Sequence, residues 1–149
     1  MKYVHTNLVC RDVEKLAKFY REVFECKQEK PTSQIGGDWL DKGTGLTNGK
    51  IKLIGLTLPG YSDNGPVIEM FEYNQMIDNP GPIAPNSKGF GHLAFKVDDV
   101  SAVYEKVVKN GGSKIGELVE KEFKSGILTF MYATDPEGNI IEIQSWKSK

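Results

Sequence analysis

The chain has only two histidines, His5 and His92, and each is followed seven residues later by an Asp-Val pair, Asp12-Val13 and Asp99-Val100. Two glutamates repeat in the same manner. Glu69 lies in VIEMF and Glu142 in IIEIQ, each four residues after a glycine, Gly65 and Gly138. A carboxylate inside such an apolar run is expensive to bury unless something compensates its charge. A divalent cation would do that. Two imidazoles and two carboxylates suit Zn, Ni, Mn, Fe or Co, and leave one or two coordination positions for water or substrate. Taken singly, a strand histidine is more often structural than a ligand, and an edge glutamate can simply face solvent. The recurrence of both pairs at equivalent places favours the metal reading.

Strands are needed to aim these side chains, because successive residues of a strand point to opposite faces. Residues 3–10 read as a strand in which Val4, Thr6, Leu8 and Cys10 share one face, leaving His5, Asn7 and Val9 on the other. Residues 91–98 read as a second, with Leu93, Phe95 and Val97 on one face and His92 and Ala94 opposite. The same alternation separates Glu142 from Ile141 and Ile143, and Glu69 from Ile68 and Met70. Glu72 falls on the face away from Glu69. Each half of the chain therefore offers one His and one Glu on a single side.

Helices follow the two histidine strands. Val13, Leu16, Phe19, Tyr20 and Val23 recur at helical spacing over residues 13–24, with Asp12 placed as the cap. Val100, Val103, Tyr104, Val107 and Val108 form a second stripe, closed by Asn110-Gly111-Gly112. Strand-like segments come next: KIKLIGLTL and PVIEMFEY in the first half, GILTFMYA and NIIEIQSW in the second. The chain is thus a repeat, offset by 87 residues at the histidines (92 − 5) and by 73 at the glutamates (142 − 69). The first half holds about fourteen additional residues, assigned to GGDWLDKGTGLTNG. The expected class is α+β, with β-α-β-β-β modules at 1–73 and 89–146 and a linker at 74–88 that carries three of the seven prolines. Neither module alone would cover its sheet, so the two are expected to make one domain spanning 1–149.

Composition narrows the function classes. Hydrophobic residues make up 39% and charged residues 26% of the 149, a globular balance. Nineteen basic side chains meet twenty acidic ones with no basic run, which argues against a nucleic-acid partner. No apolar leader precedes the first strand, and GILTFMYA is too short to span a bilayer, so neither secretion nor a membrane is expected. Cys10 and Cys26 lack a CxxC spacing and read as buried free thiols, consistent with a reducing, cytoplasmic setting.

The segments HTNLVCRDVEKLAKFYREVF, VIEMFEY, GHLAFKVDDV and DPEGNIIEI resemble the vicinal oxygen chelate superfamily of glyoxalase, bleomycin-resistance and ring-cleaving dioxygenase proteins. The resemblance covers nearly the whole chain. It implies paired modules forming one cup-shaped mixed sheet around a cleft, with His5, Glu69, His92 and Glu142 as metal ligands, one per motif. That order of ligands is most similar to the lactoylglutathione lyases. The ion would then chelate adjacent oxygens of a small-molecule substrate and stabilise an enediolate, while Glu142 or Glu69 carries the proton. Alternatives within the resemblance are a metal-dependent dioxygenase, an epimerase, a thiol transferase, or a non-catalytic resistance protein that sequesters its ligand. It is also compatible with a homodimer.

Two departures bear on substrate. Where lactoylglutathione lyases commonly have an Arg for a glutathione carboxylate, four residues after the first ligand, this chain has Val9, with Arg11 two residues on. Where they often have Asn, four residues after the second ligand, it has Tyr73. Phe71, Tyr73 and Trp39 are candidates for the cavity wall, although strand and loop aromatics are more often plain core.

Overall fold

Two aspartates start the two long helices. Asp12 accepts a hydrogen bond from the Lys15 backbone N–H at 3.0 Å, and Asp99 accepts one from Ala102 at 2.9 Å, each satisfying a donor that the first helical turn leaves unpaired. A computed structural model describes residues 1–61, 64–79 and 81–149; Pro80, one of the linker prolines, lies outside them. The chain divides into two compact units, one ending at Asn79 and the other following it, a division that falls inside the 74–88 linker.

The first unit runs β1 (His5–Val9), α1 (Val13–Phe24), β2 (Lys27–Gln28), β3 (Ser33–Gly36), α2 (Asp38–Thr44), β4 (Lys50–Thr57) and β5 (Val67–Tyr73). The second runs β6 (Leu93–Lys96), α3 (Val100–Lys109), β7 (Ser113–Lys114), β8 (Val119–Phe123), β9 (Gly126–Thr134) and β10 (Ile140–Ser148). Each unit builds a five-stranded mixed sheet, so the class is mixed α+β as expected. In the first sheet β1 pairs parallel with β5, and β5 pairs antiparallel with β4. In the second, β6 pairs parallel with β10, and β10 antiparallel with β9.

The β-α-β-β-β pattern survives with one modification. Its second strand is broken in two in both units. β2 and β3 both pair with β4, and β7 and β8 both pair with β9. Pro31, which cannot donate to a ladder, sits in the first break, and Gly116 in the second. The additional residues of the first half form α2 and the turn after it. There the Asp41 carboxylate accepts from the Asn48 and Gly49 backbone N–H groups, both at 2.8 Å.

The core lies between each sheet and its long helix. Leu16, Phe19, Tyr20 and Val23 of α1 are buried, as are Ile54, Leu56, Ile68 and Met70 of the sheet. In the second unit Val100 and Val107 of α3 are buried with Met131, Ala133, Ile141 and Ile143. Val108, expected on that stripe, is exposed. α3 buries a narrower stripe than α1, with Val100 and Val107 at its centre and Val108 beyond its edge. Among the described residues, no helix is long and apolar enough to cross a membrane.

Both cysteines are buried and neither forms a disulfide. Loss of solvent pushes the Cys26 thiol up to about 12, so at pH 8 it remains protonated and unreactive, the thiolate being the nucleophile. A chromogenic disulfide reagent at pH 8 is therefore expected to leave Cys26 unmodified in the native protein and to titrate both thiols only after denaturation. Rapid native labelling of Cys26 would contradict its burial.

Candidate functional site

Parallel pairing puts the first strand of each unit beside its last, and the register is the same in both. Asn7 lies across from Glu69, and Ala94 lies across from Glu142. These are equivalent positions in the repeat. Each histidine stands two residues before its register residue, on the same face, and so meets the carboxylate diagonally. His5 Nε2 is 3.6 Å from Glu69 Oε2. His92 Nε2 is 3.0 Å from Glu142 Oε2. The structure thus brings each predicted His together with its predicted Glu, within one unit. Within neither unit does a third His, Cys, Asp or Glu among the described residues join the pair.

Two ligands each about 2.0–2.1 Å from one ion stand roughly 3–3.5 Å apart. The His92–Glu142 separation falls in that range and the His5–Glu69 separation just beyond it, so a small side-chain adjustment lets both pairs serve as donors to a metal. All four are partly open. The carboxylate of Glu142 is the most enclosed at 15% exposure, against 31% for Glu69.

The neighbours of the two pairs differ. On one side of Glu69, Asn7 donates its amide N–H to the Glu69 backbone carbonyl at 3.1 Å. On its other side is Gly55. Glu142 has Ala94 on one side and Tyr132 on the other. The Tyr132 hydroxyl donates to Glu142 Oε2 at 3.5 Å, and its ring packs edge-on against His92 with centroids 5.1 Å apart. Desolvation, then the Glu142 charge and the hydrogen bond, hold the Tyr132 phenol above its ordinary value, so it stays a donor through neutral pH. Tyr132 escaped the sequence reading. Its signal is the DPEGN turn: the buried Asp135 accepts from the Glu137 and Asn139 backbone N–H groups and from the Asn139 amide. That turn sets a hairpin register pairing 132 with 142.

Glu72 faces the other way, as alternation requires. Its carboxylate accepts from the Val13 backbone N–H at 3.1 Å, at the start of α1. Arg11 donates to the Asp78 carboxylate, and the guanidinium holds that carboxyl below its usual range. A cavity of about 650 Å³ takes in Glu69, Gly55, Leu53, Val67, Tyr3 and Val4. Of the three aromatics weighed as cavity-wall candidates against plain core, none lines this one. Trp39 is exposed on α2, Phe71 packs edge-on against Tyr73, and Tyr73 borders a separate hollow with Gln34 and Lys50.

A family model described as the glyoxalase/bleomycin resistance protein/dioxygenase superfamily matches residues 2–143. The chain belongs to this superfamily. It is 28% identical over 149 residues to a lactoylglutathione lyase of Haemophilus influenzae, covering 99% of this chain and 95% of that one. Among solved structures, a glyoxalase family protein from Bacillus cereus superposes with a TM-score of 0.80 at 22% identity, over 98% of this chain and 93% of its own. A mutant of the fosfomycin resistance protein FosX from Listeria monocytogenes, complexed with Mn(II) and a dihydroxypropylphosphonic acid, superposes with a TM-score of 0.59 at 15% identity, over 95% and 90% of the two chains. At these identities the structural likenesses establish the fold.

The two glutamates of β5 differ in what they do for the fold. Glu72→Gln is expected to lower stability by roughly 0.3–1 kcal/mol, because a negative charge at a helix N-terminus is removed. Glu69→Gln is expected to shift it by less than about 0.5 kcal/mol in either direction. Urea denaturation of both variants checks this, and a larger loss for Glu69 than for Glu72 would make Glu69 a structural group.

Proposed function

We propose that the chain is a divalent-metal-dependent enzyme of the lactoylglutathione lyase type, acting on a small substrate with two adjacent oxygens. His5, Glu69, His92 and Glu142 hold the ion, which is Zn, Ni, Mn, Fe or Co by the mixed imidazole and carboxylate donors. The observation that carries this reading is the twin geometry, in which each repeat sets one imidazole nitrogen within 3.6 Å of one carboxylate oxygen. When bound, the ion supplies a Lewis acid that polarises a substrate carbonyl and acidifies the neighbouring C–H.

The chain's own residues divide the remaining work. A glutamate takes the proton from one carbon and returns it to the next. Glu142 is braced by Tyr132 and enclosed. Glu69 is more open and borders a cavity, so it has the greater freedom to swing between an ion and a substrate proton. Both are expected to matter, Glu142 chiefly by binding and Glu69 by binding and proton transfer.

Activity on the glutathione hemithioacetal of methylglyoxal is expected to be weak or absent. Val9 lies on the His5 face of β1, and the guanidinium nearest it along the chain, Arg11, is occupied by Asp78. A charge-assisted contact to a carboxylate of the tripeptide is therefore missing, and its loss weakens substrate binding.

Elemental analysis of the purified protein is expected to give one divalent ion per chain. Glu142→Gln should weaken metal affinity by no less than the roughly 10–100-fold that loss of a mere outer-shell partner costs, and lower turnover with it. Glu72→Gln should leave both unchanged, and equal losses would refute the face assignment in β5. With the glutathione hemithioacetal, kcat/KM is expected below about 10⁴ M⁻¹s⁻¹, the lower edge of the ordinary enzyme range. A value at or above that edge would restore glutathione as the co-substrate.

A further inference from the structure

The interior of β4 contains a glycine, Gly55, where the strand gains nothing from it. Glycine in a strand interior adds backbone entropy to the unfolded chain and supplies no side chain to pack. The backbone does not require it here. Gly55 has no left-handed φ, and a Cβ built on it would meet only Val67 Cγ1 at 3.5 Å, an ordinary contact. Alanine would fit. The absent side chain therefore serves space.

That space lies beside Glu69. Gly55 is the residue across from Glu69 in the β4–β5 ladder, just as Tyr132 is the residue across from Glu142 in the β9–β10 ladder. One carboxylate has a phenol beside it, and the other has an opening. The opening is the cavity of about 650 Å³, within the range of about 300–1,000 Å³ that holds small organic ligands. Tyr3, Val4, Pro31, Leu53 and Val67 give it apolar walls. Lys2 and Lys30 on its rim are matched in number by Glu29 and Glu69, so the walls do not call for a polyanionic ligand.

We infer that Gly55 sets substrate choice: it keeps open a pocket over β4 for an apolar substituent of a substrate whose paired oxygens lie at Glu69. The substrate class is a compact molecule with two adjacent oxygens carrying an aryl or branched alkyl group. This rests on the metal-enzyme reading above and adds to it the shape of the substrate's body.

Two hydroxamates test it, since 4-fluorobenzohydroxamate and acetohydroxamate present the same two adjacent oxygens and differ in the apolar body. On the Zn(II)-loaded wild type, the aryl compound is expected to bind about tenfold more tightly or better, the discrimination an apolar pocket typically gives. Gly55→Val suits a strand and fills the opening. It should bring the ratio near one while leaving Zn(II) affinity and acetohydroxamate binding unchanged. Gly55→Ala should reduce the ratio partway, and it carries the test if the valine variant does not fold. A wild type with no aryl preference, or folded variants that keep the full preference, would overturn the inference. The fluorine resonance separates it from the metal reading. If the chain takes up no Zn(II) yet broadens that resonance, and Gly55→Val abolishes the broadening, the pocket stands and the metal reading falls. No uptake and no broadening would end both.

Discussion

Parallel pairing of the first and last strands of each unit is the constraint from which the candidate site follows. A parallel pair cannot be closed by a tight turn and needs a long crossover. In each unit that crossover contains the capped helix and the middle strands, which cover one face of the sheet with α1 or α3. The other face keeps its polar side chains. With alternation fixed by the pleat, a slip of one residue would send Glu69 or Glu142 into the helix-facing core among Ile68, Met70, Ile141 and Ile143. Burying an unpaired carboxylate there is prohibitive. The apolar residues on either side of each glutamate thus hold the strand in the one register that turns it toward its histidine.

On this shared frame the two units have been given different neighbours. Glu69 lies between an amide and a glycine, and Glu142 between an alanine and a tyrosine. Repeats relieve each copy of doing the whole task. The Tyr132–Glu142–His92 cluster is packed and hydrogen-bonded. The His5–Glu69 pair is looser and opens on free volume. Division into a firm half and an accommodating half lets one frame provide both fixed positions and room, which a single symmetric arrangement could not.

Much of this was legible in the residues themselves. Helix 13–24 and its Asp12 cap are readable because apolar spacing and capping chemistry agree. Alternation gives the face of each His and Glu, and the repeat gives their equivalence, while the register that pairs them comes from the parallel ladders. The broken second strands were not legible. Pieces as short as Lys27–Gln28 and Ser113–Lys114 have no period to detect, and β8 is exposed throughout. These segments are strands only because β4 and β9 offer them a ladder. Tyr132 was hidden for a related reason: its meaning depends on which residue it faces, and a turn five residues wide decides that. Residue type alone could not place the aromatics Trp39, Phe71 and Tyr73, because it says nothing about which hollow a ring borders.

The same breaks bear on how the protein keeps its own copies apart. A sheet ending in a long, straight strand offers a row of unpaired amides and carbonyls on which another chain can add itself, the first step toward aggregation. Here the outer ladder of β4 ends in pieces of two and four residues, and that of β9 in pieces of two and five. Lysines and glutamates punctuate the longer piece of the second sheet, in VEKEF. An incoming strand would find its row of donors interrupted near Pro31 or Gly116 and its apolar contacts spaced by charge. The interruptions make these two sheet borders poor templates for fibre growth.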